Sequence, residues 1–78
     1  MIPAFAEDAV GLLRHAMRSR GITFFLEPKY LYNQVFAKAS NPGENYEIAF
    51  GKARVRREGS DLTIVSYGTT VHWCLRAA

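Results

Sequence analysis

One short run, residues 22–26 (ITFFL), constrains what this chain can fold into more than any other feature. The run is too short for a helix, and it lacks the alternation of a strand with one solvated face. It therefore predicts a strand covered on both faces, of the kind found inside parallel sheets that carry helices above and below. A chain of 78 residues buries only about 60% of the surface that its unfolded form exposes, so it has little core to provide that cover.

Residues 6–20 predict an amphipathic helix, because their apolar residues recur at helical spacing. The apolar positions are Ala6, Val10, Leu13 and Met17. Acidic residues in the first turn and arginines in the last suit the helix dipole, and Gly21 is placed to end the helix.

The second half of the chain reads as a linker followed by a new unit. We interpret residues 36–49, with the turn signal Asn41-Pro42-Gly43, as the linker. Residues 52–56 alternate basic and apolar side chains, 58–61 read as a tight turn and 62–67 are β-rich, which together predict a hairpin. Thr69 or Thr70 is expected to cap a second helix. An α/β unit that opens at the last residues indicates a sequence cut from a longer one.

Composition argues against a disordered, collagen-like or low-complexity chain. Apolar residues make up 49% and charged residues 22%, which is ordinary for a globular domain, and a net charge of +3 is too mild to indicate a nucleic-acid binder. The single Cys74 cannot form an internal disulfide, which favours a reducing compartment. No apolar run approaches the roughly 20 residues that span a bilayer. We expect a cytoplasmic protein without a membrane segment.

Three sets of polar residues are open to a functional or a structural interpretation. The row Lys52, Arg54 and Arg56 could contact phosphates or an acidic partner subunit, but we favour the solvated outer face of a hairpin. His15, His72 and Cys74 are metal-type ligands, yet His-x-Cys on a helix directs its side chains about 200° apart, which favours ordinary packing. The Gly-Thr-Thr at residues 68–70 could hold an anion through free amides, although helix capping needs the same residues.

A dense aromatic set suggests either a ligand pocket or packing in a core and a subunit interface, which we favour. Its members are Phe24, Phe25, Tyr30, Tyr32, Phe36 and Trp73. Leaving Phe24 or Phe25 exposed would be costly, so we expect a dimer or higher oligomer. Phe24 or Phe25 would then be buried by another chain of this oligomer, or by residues 44–78 folded back onto the strand.

A resemblance to a known family covers nearly the whole chain. It is carried by residues 25–32 (FLEPKYLY), by residues 50–68 (FGKARVRREGSDLTIVSYG) and by the helix sequence at 8–13. The chain resembles the β subunit of the E1 component of thiamine-diphosphate-dependent 2-oxoacid dehydrogenases. The resemblance implies an α/β fragment in the order helix, buried strand, linker, hairpin, helix. Residues 1–35 would close a transketolase-like pyrimidine-binding domain, 36–49 would be the linker, and 50–78 would open a transketolase C-terminal-type domain.

The resemblance also implies a reaction. The family decarboxylates a 2-oxoacid on thiamine diphosphate and acylates the lipoyl group of an E2 partner, working with an E1 α subunit. Glu27-Pro28-Lys29 is more like the branched-chain 2-oxoisovalerate type than the pyruvate type. The activating glutamate and the substrate-site histidine belong to the part of the family's β subunit before Met1, and the α subunit holds the diphosphate and Mg²⁺. We therefore assign no catalytic or cofactor-binding residue here and expect the chain alone to be inactive.

Family members can bind a structural potassium ion at the end of the helix before the apolar strand. Ala16 and Met17 occupy the positions of the backbone carbonyl ligands, whereas Ser19 and Gly21 replace the Asp and Asn side-chain ligands. Two further hypotheses remain for the chain as a whole. It could be a free-standing, non-enzymatic module for protein interaction, or a basic nucleic-acid-binding domain.

Overall fold

The computed structural model describes all of residues 1–78, which form two α-helices joined by extended and turn segments. Helix α1 comprises Ala6–Arg18 and helix α2 comprises Thr70–Ala77. Single 3₁₀ turns lie at Lys29–Leu31 and Val35–Ala37, and no β-strand forms. Neither helix is long and apolar enough to cross a membrane.

Helix α1 forms where its apolar periodicity predicts it, and both of its ends have local causes. At its start, the backbone N–H of Phe5 donates to Asp8 Oδ2 over 3.1 Å. At its end, the N–H and hydroxyl of Ser19 both donate to His15 O, at 3.0 and 2.8 Å. Ser19 is already extended, so α1 stops before Arg20, which we expected to be its last residue.

Residues 22–26 are extended but do not form the buried strand that their apolar character predicts. Ile22 is 90% exposed and Phe24 is 75% exposed. Their only backbone pairing is with the first residue: the Met1 amino group donates to Phe24 O over 2.8 Å, and the Leu26 N–H donates to Met1 O over 3.0 Å. Two bonds that flank Phe25 in this way are the pattern of a parallel pair. The chain supplies no other neighbour, so the predicted sheet does not form.

The predicted hairpin over residues 52–67 is also absent, although no residue of the segment is helical. Its β-branched side chains face water, with Val65 89% exposed. An isolated two-stranded hairpin is marginally stable in water and needs a third strand or a helix against one face. That support is missing here, which explains why the β-rich sequence does not form strands paired by backbone hydrogen bonds.

Helix α2 begins at Thr70, close to the predicted position, but neither threonine caps it as expected. Thr69 occupies the N-cap position without a side-chain hydrogen bond. The Thr70 hydroxyl donates backwards to Tyr67 O over 2.6 Å. Gly68 has a φ of 58°, and a Cβ there would lie 2.8 Å from Ile2 Cγ2, so this turn packs closely on the start of the chain.

The core is small and lies where the start of α1, the linker and α2 meet. Only six residues are buried, none of them a large apolar side chain. They are Pro3, Ala4, Gly11, Ala37, Gly68 and His72. The accessible surface is 6376 Å², whereas a folded monomer of this mass exposes about 4,800 Å². A large apolar surface of this chain therefore remains uncovered.

Candidate functional site

Three ion pairs connect the beginning of α1 to the basic row. Arg54 Nη1 and Arg56 Nη1 each lie 2.8 Å from Glu7 Oε1. Arg56 Nη2 lies 2.5 Å from Asp8 Oδ1. Lys52 and Arg54 are exposed, as expected for a solvated face, whereas Arg56 is half-buried, and acids of the same chain compensate both arginines. We call Glu7, Asp8, Arg54 and Arg56 the arginine–acid cluster.

The arginine–acid cluster changes the electrostatics of Glu7. A side-chain hydrogen bond from Arg56 holds the pKa of Glu7 below its ordinary value of 4.5, although partial burial opposes the shift. The charges of Arg54 and Arg56 add to the lowering. Asp8 contributes differently, because one carboxylate oxygen accepts the Phe5 N–H while the other pairs with Arg56. The same carboxylate thus caps α1 and holds Arg56 beside Phe5.

The ring of Phe5 contacts both the basic row and helix α2. Arg56 Cζ lies 4.3 Å from the Phe5 ring centroid, a cation–π distance. The His72 ring lies 4.5 Å from Phe5 and 4.7 Å from Phe36, tilted by 57° and 56°. His72 is buried, and its Nε2–H donates to Ala4 O over 2.6 Å. We call Arg56, Phe5, His72 and Phe36 the Phe5 cluster.

The three metal-type residues lie in separate environments. His72 packs inside the Phe5 cluster, His15 bonds to Glu47, and Cys74 is a free, half-buried thiol. No group of three His, Cys, Asp or Glu side chains is arranged to hold a metal ion. His72 and His15 therefore serve packing and hydrogen bonding in this chain.

Glu47 fixes the linker to the last turns of α1. Its carboxylate lies 2.6 Å from His15 Nδ1 and 2.6 Å from Arg18 Nη1. The hydrogen bond from His15 is the main cause that lowers the pKa of Glu47, and the charge of Arg18 contributes. The His15 ring also meets Phe50 edge-on, with centroids 4.4 Å apart. The region read as a linker is thus packed along the helix.

Gly11 permits this close packing. The Ile48 N–H donates to Gly11 O over 3.1 Å, although Gly11 lies inside α1. A Cβ on Gly11 would lie 2.7 Å from Ile48 Cγ1 and 2.9 Å from Tyr46 Cε1, closer than carbon atoms approach in proteins. Arg14 reinforces the contact by donating to the carbonyls of Gly43 and Tyr46.

The carbonyls suggested for potassium, those of Ala16 and Met17, lie in the last turn of α1. Ala16 O accepts the Ser19 N–H over 3.2 Å. The Ser19 hydroxyl already donates to His15 O, and Gly21 has no side chain to contribute. The oxygen ligands that this chain supplies are therefore incomplete for a cation of this kind, and the potassium site stays a prediction.

The start of α2 uses its own backbone amides. The Val71 and His72 N–H groups donate to Gly68 O and Thr69 O at 3.3 and 3.2 Å. Of the two interpretations of residues 68–70, this geometry favours a structural turn over an anion site.

The aromatic set is mostly exposed, so the expectation that it packs in a core is wrong for this chain. Its exposed members are Phe24, Tyr30, Tyr32, Phe36 and Trp73. Phe25 is half-buried, and Phe36 reaches the core only through His72. The Tyr32 hydroxyl donates to the Glu27 carboxylate, which raises the pKa of Tyr32. Packing in a subunit interface remains a prediction for these rings.

An open cavity of about 830 Å³ lies between α1, α2 and the segment 52–68, with two residues of the linker also in its lining. Its apolar wall includes Leu12, Ile48, Leu62, Val71 and Leu75. The charged groups at its edge include Asp8 and Arg56, which already pair with each other. Lys52, Arg57, Glu58 and Asp61 also line it, so the recess combines an apolar wall with charged groups.

The sequence analysis did not predict the pairing partners in the arginine–acid cluster or those of Glu47. Alternation placed Arg54 and Arg56 on one face, and Glu7 was assigned only to the helix dipole. One available signal was Gly11, because a glycine inside a helical pattern often marks a close approach.

Comparison with known proteins gives two kinds of match. Residues 51–78 match the transketolase C-terminal domain family. Over the whole chain, 2-oxoisovalerate dehydrogenase subunit beta of Bacillus subtilis is 40% identical, and the pyruvate dehydrogenase E1 component subunit beta of the same organism is 45% identical. The mitochondrial 2-oxoisovalerate dehydrogenase subunit beta of Chaetomium thermophilum is 39% identical over 99% of this chain. No solved structure matches the chain.

These matches cover all of the chain but only part of each relative. The 78 residues span 23% of either Bacillus subtilis subunit and 16% of the Chaetomium thermophilum subunit. The homologues of this chain are thus β subunits of 2-oxoacid dehydrogenases, of both the pyruvate and the branched-chain type. The resemblance found in the residues is confirmed at that level, while both types match comparably.

Proposed function

We propose that this chain is part of the E1 β subunit of a 2-oxoacid dehydrogenase and acts as the joint between two of its domains. Similarity over all 78 residues supports the first half of this proposal. The second half rests on a single observation, the shared ion pairs of Glu7 with Arg54 and Arg56. These pairs connect the segment assigned to the pyrimidine-binding domain, residues 1–35, to the one assigned to the C-terminal domain, residues 50–78.

The proposed parent reaction is oxidative decarboxylation of a 2-oxoacid on thiamine diphosphate, followed by acyl transfer to lipoyl-E2. When bound elsewhere in the enzyme, thiamine diphosphate would supply carbanion chemistry for this reaction. The side chains of this chain do not fit that role: Glu7, Asp8 and Glu47 are paired with arginines or histidine, and no group of three His, Cys, Asp or Glu side chains is arranged to hold a metal ion. We propose that they set the relative position of the two domains and that other parts of the enzyme hold the cofactor.

Within this family we favour the branched-chain type on the strength of Glu27-Pro28-Lys29 alone. The proposed partners are the E1 α subunit and a lipoyl-bearing E2. A potassium ion at Ala16 and Met17 remains part of the proposal only with oxygen ligands from outside this chain.

The isolated chain is expected to associate with further protein, including copies of itself. Its surface exceeds that of a typical folded monomer by about 1,600 Å², about twice the roughly 800 Å² that each partner buries in a standard protein interface. The same observation favours a second candidate, a free-standing interaction module. The encoding DNA separates the two: an open frame that continues on either side supports the subunit, and intact start and stop signals support the module.

A chimera tests the proposed function. The matching residues of the Bacillus subtilis 2-oxoisovalerate dehydrogenase subunit beta are replaced by this chain, and the product is co-expressed with its α subunit. We expect an assembled enzyme that reduces an artificial electron acceptor when given 2-oxoisovalerate or pyruvate.

A matched control carries Arg56→Glu in the same chimera and is expected to lose activity, because it places like charges against Glu7 and Asp8. A chimera that assembles but decarboxylates neither acid would contradict the proposal. If instead Arg56→Glu keeps full activity, the ion pairs are not the joint.

A further inference from the structure

The Phe5 cluster ties three regions that are distant in sequence to one short stretch of backbone. Arg56 comes from the basic row, His72 from α2 and Phe36 from the linker. The stretch they meet is Ala4 and Phe5, directly before α1.

Both ends of this cluster are held by hydrogen bonds, not by apolar contact alone. Asp8 binds the Phe5 N–H and the Arg56 guanidinium together, so the cation cannot leave the ring without breaking that pair. On the α2 side, the His72 Nε2–H is bonded to Ala4 O, next to the same ring. His72 is the only buried residue of α2, so this contact is the main anchor of that helix.

We propose that the Phe5 cluster is a conformational latch, in which Arg56 seated on Phe5 keeps α2 docked through His72. When Arg56 is withdrawn, Phe5 loses its cation–π partner and the restraint imposed through Asp8. The ring then stops supporting the imidazole, and α2 opens more often. This inference concerns the chain itself and stands whether or not the proposed function is correct.

The chain offers a matched control, because Arg54 shares Glu7 with Arg56 but has no contact with Phe5. Amide hydrogen exchange by NMR measures how often α2 opens in the Arg56→Gln and Arg54→Gln variants. We expect Arg56→Gln to lower the protection of the α2 amides by at least about 2- to 5-fold, the factor that the loss of a cation–π contact alone would give. Arg54→Gln should leave that protection unchanged, and Arg56→Lys should give an intermediate loss.

Two results would overturn the latch. One is an equal loss of α2 protection in Arg54→Gln and Arg56→Gln, which would assign the effect to charge alone. The other comes from Phe36→Leu, which removes a neighbour of His72 without touching an ion pair. Phe36→Leu provides the test if Arg56→Gln does not fold. We expect α2 to open more often in this variant. Unchanged protection of the α2 amides would refute the role of the Phe5 cluster.

Discussion

Replacing Gly11 by alanine should destabilise this chain, against the usual rule for helices. In a solvent-exposed helix the change stabilises by about 0.5–1 kcal/mol, since alanine is the better helix former. Here the new Cβ would lie 2.7 Å from Ile48 Cγ1 and 2.9 Å from Tyr46 Cε1. Overpacking of that severity costs about 1–3 kcal/mol, so the clash outweighs the propensity over nearly all of this range and the net loss is up to about 2.5 kcal/mol.

The same change in an Ile48→Ala, Tyr46→Ala background isolates the cause. These truncations remove the three side-chain atoms that would lie within 3.0 Å of the new Cβ. In that background Gly11→Ala should become stabilising, because only the helix propensity remains. Urea denaturation followed by circular dichroism at the helix band gives the free energy of unfolding for all four proteins of the cycle.

We expect Gly11→Ala to lower the free energy of unfolding in the wild-type background and to raise it in the truncated background. If Gly11→Ala raises the urea midpoint equally in both, the linker does not pack against α1 at this position. The reasoning from close approach would then be refuted, together with the docked position of the linker.

Three further predictions concern charge, association and cofactor binding. The pKa values of Glu7 and Glu47 are lowered in the folded chain, so their stabilising contribution is present above the ordinary value of 4.5 and is lost as pH falls through the lower folded-state values. Urea midpoints should therefore drop between about pH 5 and pH 3, and a Glu7→Gln, Glu47→Gln double variant should show a flatter profile. Sedimentation should find the wild-type chain associated and Phe24→Asp shifted towards monomer; equal monomers at high concentration would contradict the need for cover. Calorimetry should detect no binding of thiamine diphosphate to the isolated chain, and micromolar affinity would show that the missing ligands are not required.

The sequence predicts the helices well because their signals are local. The apolar repeat of α1 and the glycine before α2 act within a few residues, and both helices begin within about a residue of the predicted positions. The buried strand at 22–26 and the hairpin depend instead on neighbours that this chain lacks. Their residues are suited to a sheet, but a sheet is a property of several segments together.

The contacts between the two halves were beyond local reasoning. No rule of spacing connects Glu47 to His15 or Glu7 to Arg56, because both pairs depend on how the linker folds back along α1. The resemblance to E1 β subunits identified the family of its relatives from motifs spread over the chain, but it did not indicate these contacts. His72 was interpreted as a packed residue, whereas its partners Phe5 and Phe36 became evident only from the structure.

The two hydrogen bonds that join Met1 to the residues beside Phe25 have a consequence for topology. They set two extended segments side by side in the same direction, with α1 as the connection between them, which is the order of a β–α–β unit. Such crossovers are right-handed almost without exception. In a sheet completed by other segments, this rule would fix the side on which α1 lies, and a further parallel strand would add at the edge of residues 22–26 away from Met1; the chain itself forms no sheet.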